Sequence, residues 1–180
     1  MATNRIIVAA HFARLAHLDQ SRKWTGARYI THPARVAARV TWAYGLAAFD
    51  IERMICAAWL HDVLEDTPTE ISDIISLVGA DVAQLVDELT NKSKATGLPR
   101  YDRKRLDRER ISGISREAKI IKLIDRIDNL NEIPAEAGEF RTIYCNESQL
   151  LLNTLEGTHK ELEDELQNAI YIGLGFKAAP

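Results

Sequence analysis

The sequence predicts an all-α fold in a single domain, and three observations support this. Apolar residues recur at spacings of three and four along nearly the whole chain, and no stretch shows the alternation of a strand. Helix signals punctuate these runs: Ser, Thr or Asp before a run, Pro at its start and Gly at its end. The length of 180 residues, with 46% hydrophobic and 27% charged residues, suits one globular domain with a real core. No internal repeat, low-complexity tract or linker interrupts it.

The elements follow in order. A first helix is expected over residues 5–18, with Ile6, Ala9, Ala10, Ala13 and Ala16 at core spacing. The polar segment 19–28 is a loop marked by Gly26. Thr31-His-Pro33 opens a second helix, with Pro33 at its first position and His32 near the cap, running to Tyr44 and stopping at Gly45. Asp50 caps a third helix that continues through 57–66. Thr67-Pro-Thr-Glu70 reads as a restart, with Thr67 as N-cap and Glu70 closing a capping box. That helix ends near Gly79, and another spans 81–89. A loop covers 90–99, and a highly charged helix covers 100–111. Ser115 caps a long amphipathic helix whose core stripe is Ile120, Ile121, Leu123, Ile124, Ile127 and Leu130, with Pro134 beyond its end. A further helix covers 140–155 and Gly157 breaks it. Thr158-His-Lys-Glu161 is a capping box for the last helix.

Composition excludes several classes. The net charge of −3 argues against binding nucleic acid through bulk charge. No apolar run has the length to span a bilayer, and Met1-Ala-Thr-Asn-Arg5 lacks a signal-peptide pattern. With Cys56 and Cys145 as the two cysteines, neither a disulfide framework nor a thiolate zinc site is expected, and a cytoplasmic setting fits.

The chemistry centres on Ala57-Ala-Trp-Leu-His-Asp-Val-Leu-Glu-Asp-Thr67. Run as one continuous helix, it places His61, Glu65, Asp62 and Asp66 on a single arc of about 140°. The upstream residues 54–60 are apolar all round. Three acids at the end of an interior helix are costly to bury unpaired, and a divalent cation held by His and Asp offsets that cost. A solvated acidic helix end is the alternative. In Lys122-Leu-Ile-Asp-Arg-Ile-Asp-Asn129, Asp125 and Asn129 share a face, and Asp125 sits among core residues. It is either a salt-bridge partner, to Arg126 or to an Arg of another helix, or a metal ligand. His32 is either a helix cap or a ligand. His11, His17 and His159 have no acidic company and read as structural or exposed. The set His32, His61, Asp62 and Asp125 carries a charge that balances one divalent cation. Mixed N and O ligands favour Mn²⁺, Fe²⁺ or Zn²⁺ in an open site. Glu65 and Asp66 then remain as acids able to take a proton from an attacking water. Arg22, Lys23 and Arg28 precede His32, and Arg100 and Lys104 open the charged helix. Each alone reads as solvated surface; as a group they suggest a phosphate or pyrophosphate substrate.

Together, Tyr29-Ile-Thr-His-Pro33, His61-Asp62 with Glu65-Asp66-Thr67, and Lys122-Leu-Ile-Asp-Arg-Ile-Asp-Asn129 resemble the HD-domain hydrolases of the RelA/SpoT type. The length is similar to that of the single-domain small alarmone hydrolases, and the resemblance spans residues 5–172. It implies a bundle of roughly ten helices holding one Mn²⁺, with Fe²⁺, Co²⁺ and Zn²⁺ as other possible ions, and removal of the 3′-pyrophosphate of (p)ppGpp to give GDP or GTP. By motif, His32, His61, Asp62 and Asp125 are implied as ligands, Glu65 and Asp66 as the residues acting on water, Arg22 and Lys23 as holding the nucleotide, and Asn129 as lying near the ribose. Arg100 stands where the family often has a substrate-reaching Lys. Arg28 replaces the Pro of the family's Gly-x-Pro-Tyr-Ile, and Asp128 stands where His or Tyr is common; both bear on substrate preference. No synthetase block accompanies these motifs, so hydrolysis without synthesis is expected. The expected partner is a small nucleotide, with no nucleic acid and no membrane. The same machinery acting on the 2′-phosphate of NADPH or on a dNTP is the alternative within enzymes. A nucleotide-binding module without turnover is the alternative outside them, and the presence of both Glu65 and Asp66 speaks against it.

Overall fold

A computed structural model describes residues 4–42 and 48–176. The described residues form ten α-helices and no strand; a single isolated bridge joins Ser21 to Arg28. The all-α expectation therefore holds. The chain's contacts gather into two compact units, Met1–Asn91 and Lys92–Pro180.

The first unit holds α1 (Arg5–Ala16), α2 (Thr31–Val40), α3 (Ala48–Leu60), α4 (Val63–Asp66), α5 (Ile71–Val78) and α6 (Ala80–Leu89). Its centre is α3, which packs against α1, α2 and α6. This is why Met54, Cys56, Ala57, Ala58 and Leu60 are fully buried and why the sequence is apolar all round there. Small residues permit the approach: Ala9 and Ala13 of α1 are also fully buried. Asn4 caps α1, its side chain accepting from the backbone N–H groups of Ile6 and Ile7. That helix ends at Ala16, short of the expected Leu18, with His17 as its C-cap.

Three start signals fall elsewhere than expected. Thr31 is already helical and Pro33 sits third in α2, still within the first turn, where a missing N–H breaks no helical bond. The same helix ends at Val40; the expected stop at Tyr44 and Gly45 lies outside the described residues. Asp50 does not precede α3, which begins at Ala48, and the Asp50 side chain is likewise outside the described residues. Thr67 closes α4 instead of opening α5: its Oγ1 donates to the Val63 carbonyl at 2.7 Å. Glu70 is the N-cap of α5, in a reciprocal capping box with Asp73. Gly79, at φ 98°, separates α5 from α6 in a conformation that excludes other residues.

The second unit holds α7 (Arg100–Ser112), α8 (Arg116–Glu132), α9 (Glu139–Leu155) and α10 (Lys160–Gly173), with short 3-10 turns at Lys92–Thr96 and Ala135–Ala137. As expected, Ser115 caps α8 by accepting from the Ala118 N–H, and all six residues of the predicted stripe are buried. They pack in a bundle where α8, α9 and α10 touch one another pairwise. The final helix is capped by His159, one residue past the expected Thr158; the His159 N–H donates to Glu163 Oε1 at 2.8 Å. No helix among the described residues is long and apolar enough to cross a membrane.

Candidate metal centre

The continuous helix expected through residues 57–66 is interrupted. α3 stops at Leu60, His61 and Asp62 form a turn, and α4 restarts at Val63 with Asp62 as its N-cap. Neighbouring side chains on an unbroken helix diverge by about 100°. Across this turn His61 Nε2 lies 3.0 Å from Asp62 Oδ2. His32, in the first turn of α2, brings its Nε2 to 3.2 Å from His61 Nε2 and 3.6 Å from Asp62 Oδ2. Both imidazoles are almost completely buried, at 0% and 1% exposure, whereas the Asp62 side chain keeps 15% exposure.

The tautomer of His61 follows from its other nitrogen. Nδ1 donates to the Ala58 carbonyl at 2.7 Å, which leaves the Nε2 lone pair facing His32 and Asp62. Two imidazole nitrogens and a carboxylate oxygen, all within 4.8 Å of one another, are the donor set of a divalent cation. These are three of the four residues expected as ligands, brought together in a geometry able to hold a cation.

The acids that follow are held beside them. Glu65 Oε2 accepts from the Asn91 backbone N–H at 3.1 Å and from Asn91 Nδ2 at 2.8 Å. The Tyr29 hydroxyl donates to Asp62 Oδ2 at 2.7 Å and reaches Asp66 Oδ2 at 3.4 Å. Asn91 and Tyr29 were not expected at the site. Asn91 lies far along the chain in the segment expected to be loop, and an isolated Asn has no legible partner. Tyr29 stands inside a motif whose more evident residue is His32.

The expected loop 19–28 is a small hairpin. Ser21 and Arg28 bridge, the Arg22 N–H donates to the Ala27 carbonyl at 2.8 Å, and Gly26 turns the chain at φ 67°. Within this hairpin the Arg22 guanidinium lies 5.3 Å from the Tyr29 ring centre, and Lys23 Nζ lies 4.5 Å from the Trp24 ring centre. Lys23 and Arg28 are exposed and Arg22 is half-buried.

In the second unit, Asp125 is buried on α8. It forms an ion pair with Lys122, Nζ to Oδ2 at 3.2 Å, where the sequence suggested Arg126 or an Arg of another helix. Lys122 is one turn back along the same face; the Arg126 guanidinium instead lies 4.5 Å from the Tyr144 ring centre. Asn129, on the same face of α8, donates to Asp125 Oδ1. Arg100 is engaged with Glu147 in a two-point pair at 2.7 and 2.9 Å. Burial, with Arg126 and Lys122 nearby, holds the Lys104 ammonium below its ordinary range.

A helical fold that carries one His on one helix and an adjacent His-Asp pair at the end of another defines a class: the chain belongs to the HD-domain family, whose model matches residues 9–155. The match covers the His32, His61 and Asp62 cluster of the first unit and α8 of the second. Among curated relatives, the chain is similar to the guanosine-3′,5′-bis(diphosphate) 3′-pyrophosphohydrolase MESH1 of Homo sapiens, at 34% identity over 91% of this chain and 92% of that protein. It is also similar to the bifunctional (p)ppGpp synthase/hydrolase SpoT of Escherichia coli, at 33% identity over 92% of this chain but 23% of that protein. A solved structure, described as a metazoan ortholog of SpoT that hydrolyzes ppGpp, aligns with a TM-score of 0.83 and 29% identity, covering 98% of this chain and 99% of that one.

Proposed function

We propose that this protein is a metal-dependent phosphohydrolase that removes the 3′-pyrophosphate of guanosine tetra- or pentaphosphate, giving GDP or GTP and pyrophosphate. The observation that carries the reading is the convergence of His32 Nε2, His61 Nε2 and Asp62 Oδ2, with Glu65 and Asp66 following in the next turn. The substrate is supported by the activity that the MESH1 and SpoT relatives are named for. The family match crosses from one compact unit into the other, which supports treating the 180 residues as one functional domain.

His32, His61 and Asp62 would hold the cation, and Asp125 is proposed as a further ligand on the strength of the family motif. Mn²⁺ is the proposed ion; Fe²⁺, Co²⁺ and Zn²⁺ also suit this donor set, and intrinsically bind such sites more tightly. A cation so held lowers the pKa of water and stabilises charge developing on phosphoryl oxygens. Glu65 and Asp66 accept the proton that the water loses. The water oxygen bonds to the 3′-linked phosphorus, the bond from that phosphorus to the ribose O3′ breaks, and O3′ leaves as the hydroxyl after taking up a proton. Arg22 and Lys23, with Arg28 beside them, bind the nucleotide's phosphates. Asn129 lies near the ribose and Arg100 reaches the substrate when released from Glu147. A cytoplasmic setting is part of the reading, in keeping with Cys56 and Cys145 as buried free thiols.

The test is product analysis of ppGpp incubated with chelator-treated protein, with and without added Mn²⁺, beside NADPH and a dNTP mixture. Mn²⁺-dependent appearance of GDP and pyrophosphate is expected. Orthophosphate from NADPH, or turnover of a dNTP, with inert ppGpp replaces the substrate and keeps the centre. Nucleotide binding without turnover of any of them returns the protein to a binding module.

A further inference from the structure

We propose that Tyr29 is a positioning residue for the metal centre: its hydroxyl fixes the Asp62 carboxylate that ligates the cation and orients Asp66 beside it. The inference rests on the metal-dependent reading above and assigns a role to a residue that reading leaves without one.

Asp62 Oδ2 is the oxygen that both imidazoles approach, at 3.0 Å from His61 and 3.6 Å from His32. The same oxygen accepts the Tyr29 O–H at 2.7 Å. The torsion that orients a carboxylate on its Cβ is broad and roughly two-fold, so a partly exposed Asp on a turn does not fix its own oxygens. A phenol donor locks one oxygen toward the two nitrogens. At 3.4 Å the same hydroxyl also reaches Asp66 Oδ2, one helical turn on, so a single group spans the ligand and the acid.

A positioning group must itself be held, and Tyr29 is. Its backbone N–H donates to the Gln20 carbonyl at 2.9 Å, inside the hairpin closed by the Ser21–Arg28 bridge. Its ring stacks on His17, with centroids 4.7 Å apart and planes 29° from parallel. His17 is nearly fully buried, and its Nδ1 lies 2.9 Å from Gln20 Oε1. The Gln20 amide nitrogen donates to the Asp66 carbonyl at 2.8 Å. Because the amide oxygen of Gln20 can only accept, His17 Nδ1 carries the hydrogen. Residues 17–29 therefore grip the segment 62–66 at both ends, Tyr29 at Asp62 and Gln20 at Asp66. Between these grips lies Glu65. The unexpected hairpin and the buried His17 have a common purpose in this arrangement.

The experiment is Tyr29→Phe, which deletes one oxygen and keeps the ring stacked on His17. Metal-free wild-type and variant proteins are titrated with Mn²⁺ by calorimetry, and kcat and KM for ppGpp are measured at saturating Mn²⁺. The expected result is a variant that folds as wild type does, with Mn²⁺ affinity reduced by roughly 10–100-fold and kcat lowered at unchanged KM. A variant with wild-type Mn²⁺ affinity and wild-type kcat overturns the inference and leaves Tyr29 as packing. Unchanged Mn²⁺ affinity with a raised KM also overturns it, by making Tyr29 a nucleotide contact. Wild-type protein that takes up no Mn²⁺ overturns the metal reading, and this inference with it. Wild-type protein that binds Mn²⁺ but leaves ppGpp intact overturns the substrate alone, and the titration still decides the role of Tyr29.

Discussion

Glu65→Gln separates the proposed proton acceptor from the proposed metal ligands. In the folded protein Glu65 Oε2 receives both Asn91 donors, the backbone N–H at 3.1 Å and Nδ2 at 2.8 Å. A glutamine of the same length can turn its amide oxygen to the same two donors, so the geometry survives while the charge and the basicity go. Hydrogen bonds to a charged acceptor contribute about 1.5–3 kcal/mol and neutral ones about 0.5–1.5 kcal/mol, so the stability loss should be about 1–3 kcal/mol. Turnover should fall far more. Removing a general base costs roughly 10²–10⁴ in rate, which is about 2.7–5.5 kcal/mol of barrier. The assay is steady-state release of pyrophosphate from ppGpp at saturating Mn²⁺, with a thermal melt and a Mn²⁺ titration on the same preparation. Asn91→Ala provides the companion: the carboxylate stays charged but loses its anchor, and an intermediate rate is expected. Wild-type turnover in Glu65→Gln would sink the proton-acceptor role. Loss of Mn²⁺ binding in the same variant would instead make Glu65 a ligand and refute the assignment from the other side.

Three further outcomes are expected. Asp125→Ala should lose Mn²⁺ and activity together, while Lys122→Met, which breaks the same buried pair, should keep Mn²⁺ and lower only the melting temperature; retained Mn²⁺ in Asp125→Ala reduces Asp125 to a salt-bridge partner. Asp81 is pulled between burial, which raises its pKa, and the hydrogen bond and charge of Arg5 at 2.7 Å, which together win and hold it below the usual carboxylate range. Its contribution is therefore present above about pH 4, the unfolded carboxylate pKa, and is lost as pH falls through the lower folded value. The pair is partly exposed, so Asp81→Asn should cost at most about 1 kcal/mol at pH 7 in chemical denaturation, with the difference vanishing in acid. Burial pushes the Cys56 thiol up to about 11, so native protein should resist iodoacetamide at pH 8 at this residue until denaturant is added; rapid labelling of native Cys56, read by peptide mass, contradicts the packing of α3.

What a local pattern encodes was legible in the residues themselves. The stripe of α8 needs only 3.6-residue periodicity, and Ser115 needs only its neighbours to act as a cap. His61 and Asp62 were legible as candidate ligands because acids next to an interior apolar run need a counter-charge. What misled was competition between equally good local signals. Thr67 and Glu70 both suit a helix start, and Thr67 is taken up closing α4 through the Val63 carbonyl. Thr158 and His159 compete in the same way. The pairing of Asp125 with Lys122 follows from which cation shares its face: Arg126 is adjacent in sequence, but Lys122 lies one turn back and reaches it.

The sequence by itself determined the helical class, the order of the elements and the residue types able to hold a cation, because periodicity, caps and charge balance are properties of short segments. Only the tertiary structure decided that α3 breaks at His61–Asp62 so that two adjacent side chains converge, that His32 meets them from another helix, and that a hairpin delivers Tyr29 to the same carboxylate. Those facts depend on contacts between residues about thirty positions apart. Such distances follow from how α1, α2 and α6 pack around α3, and no window of sequence short enough to read by pattern contains them.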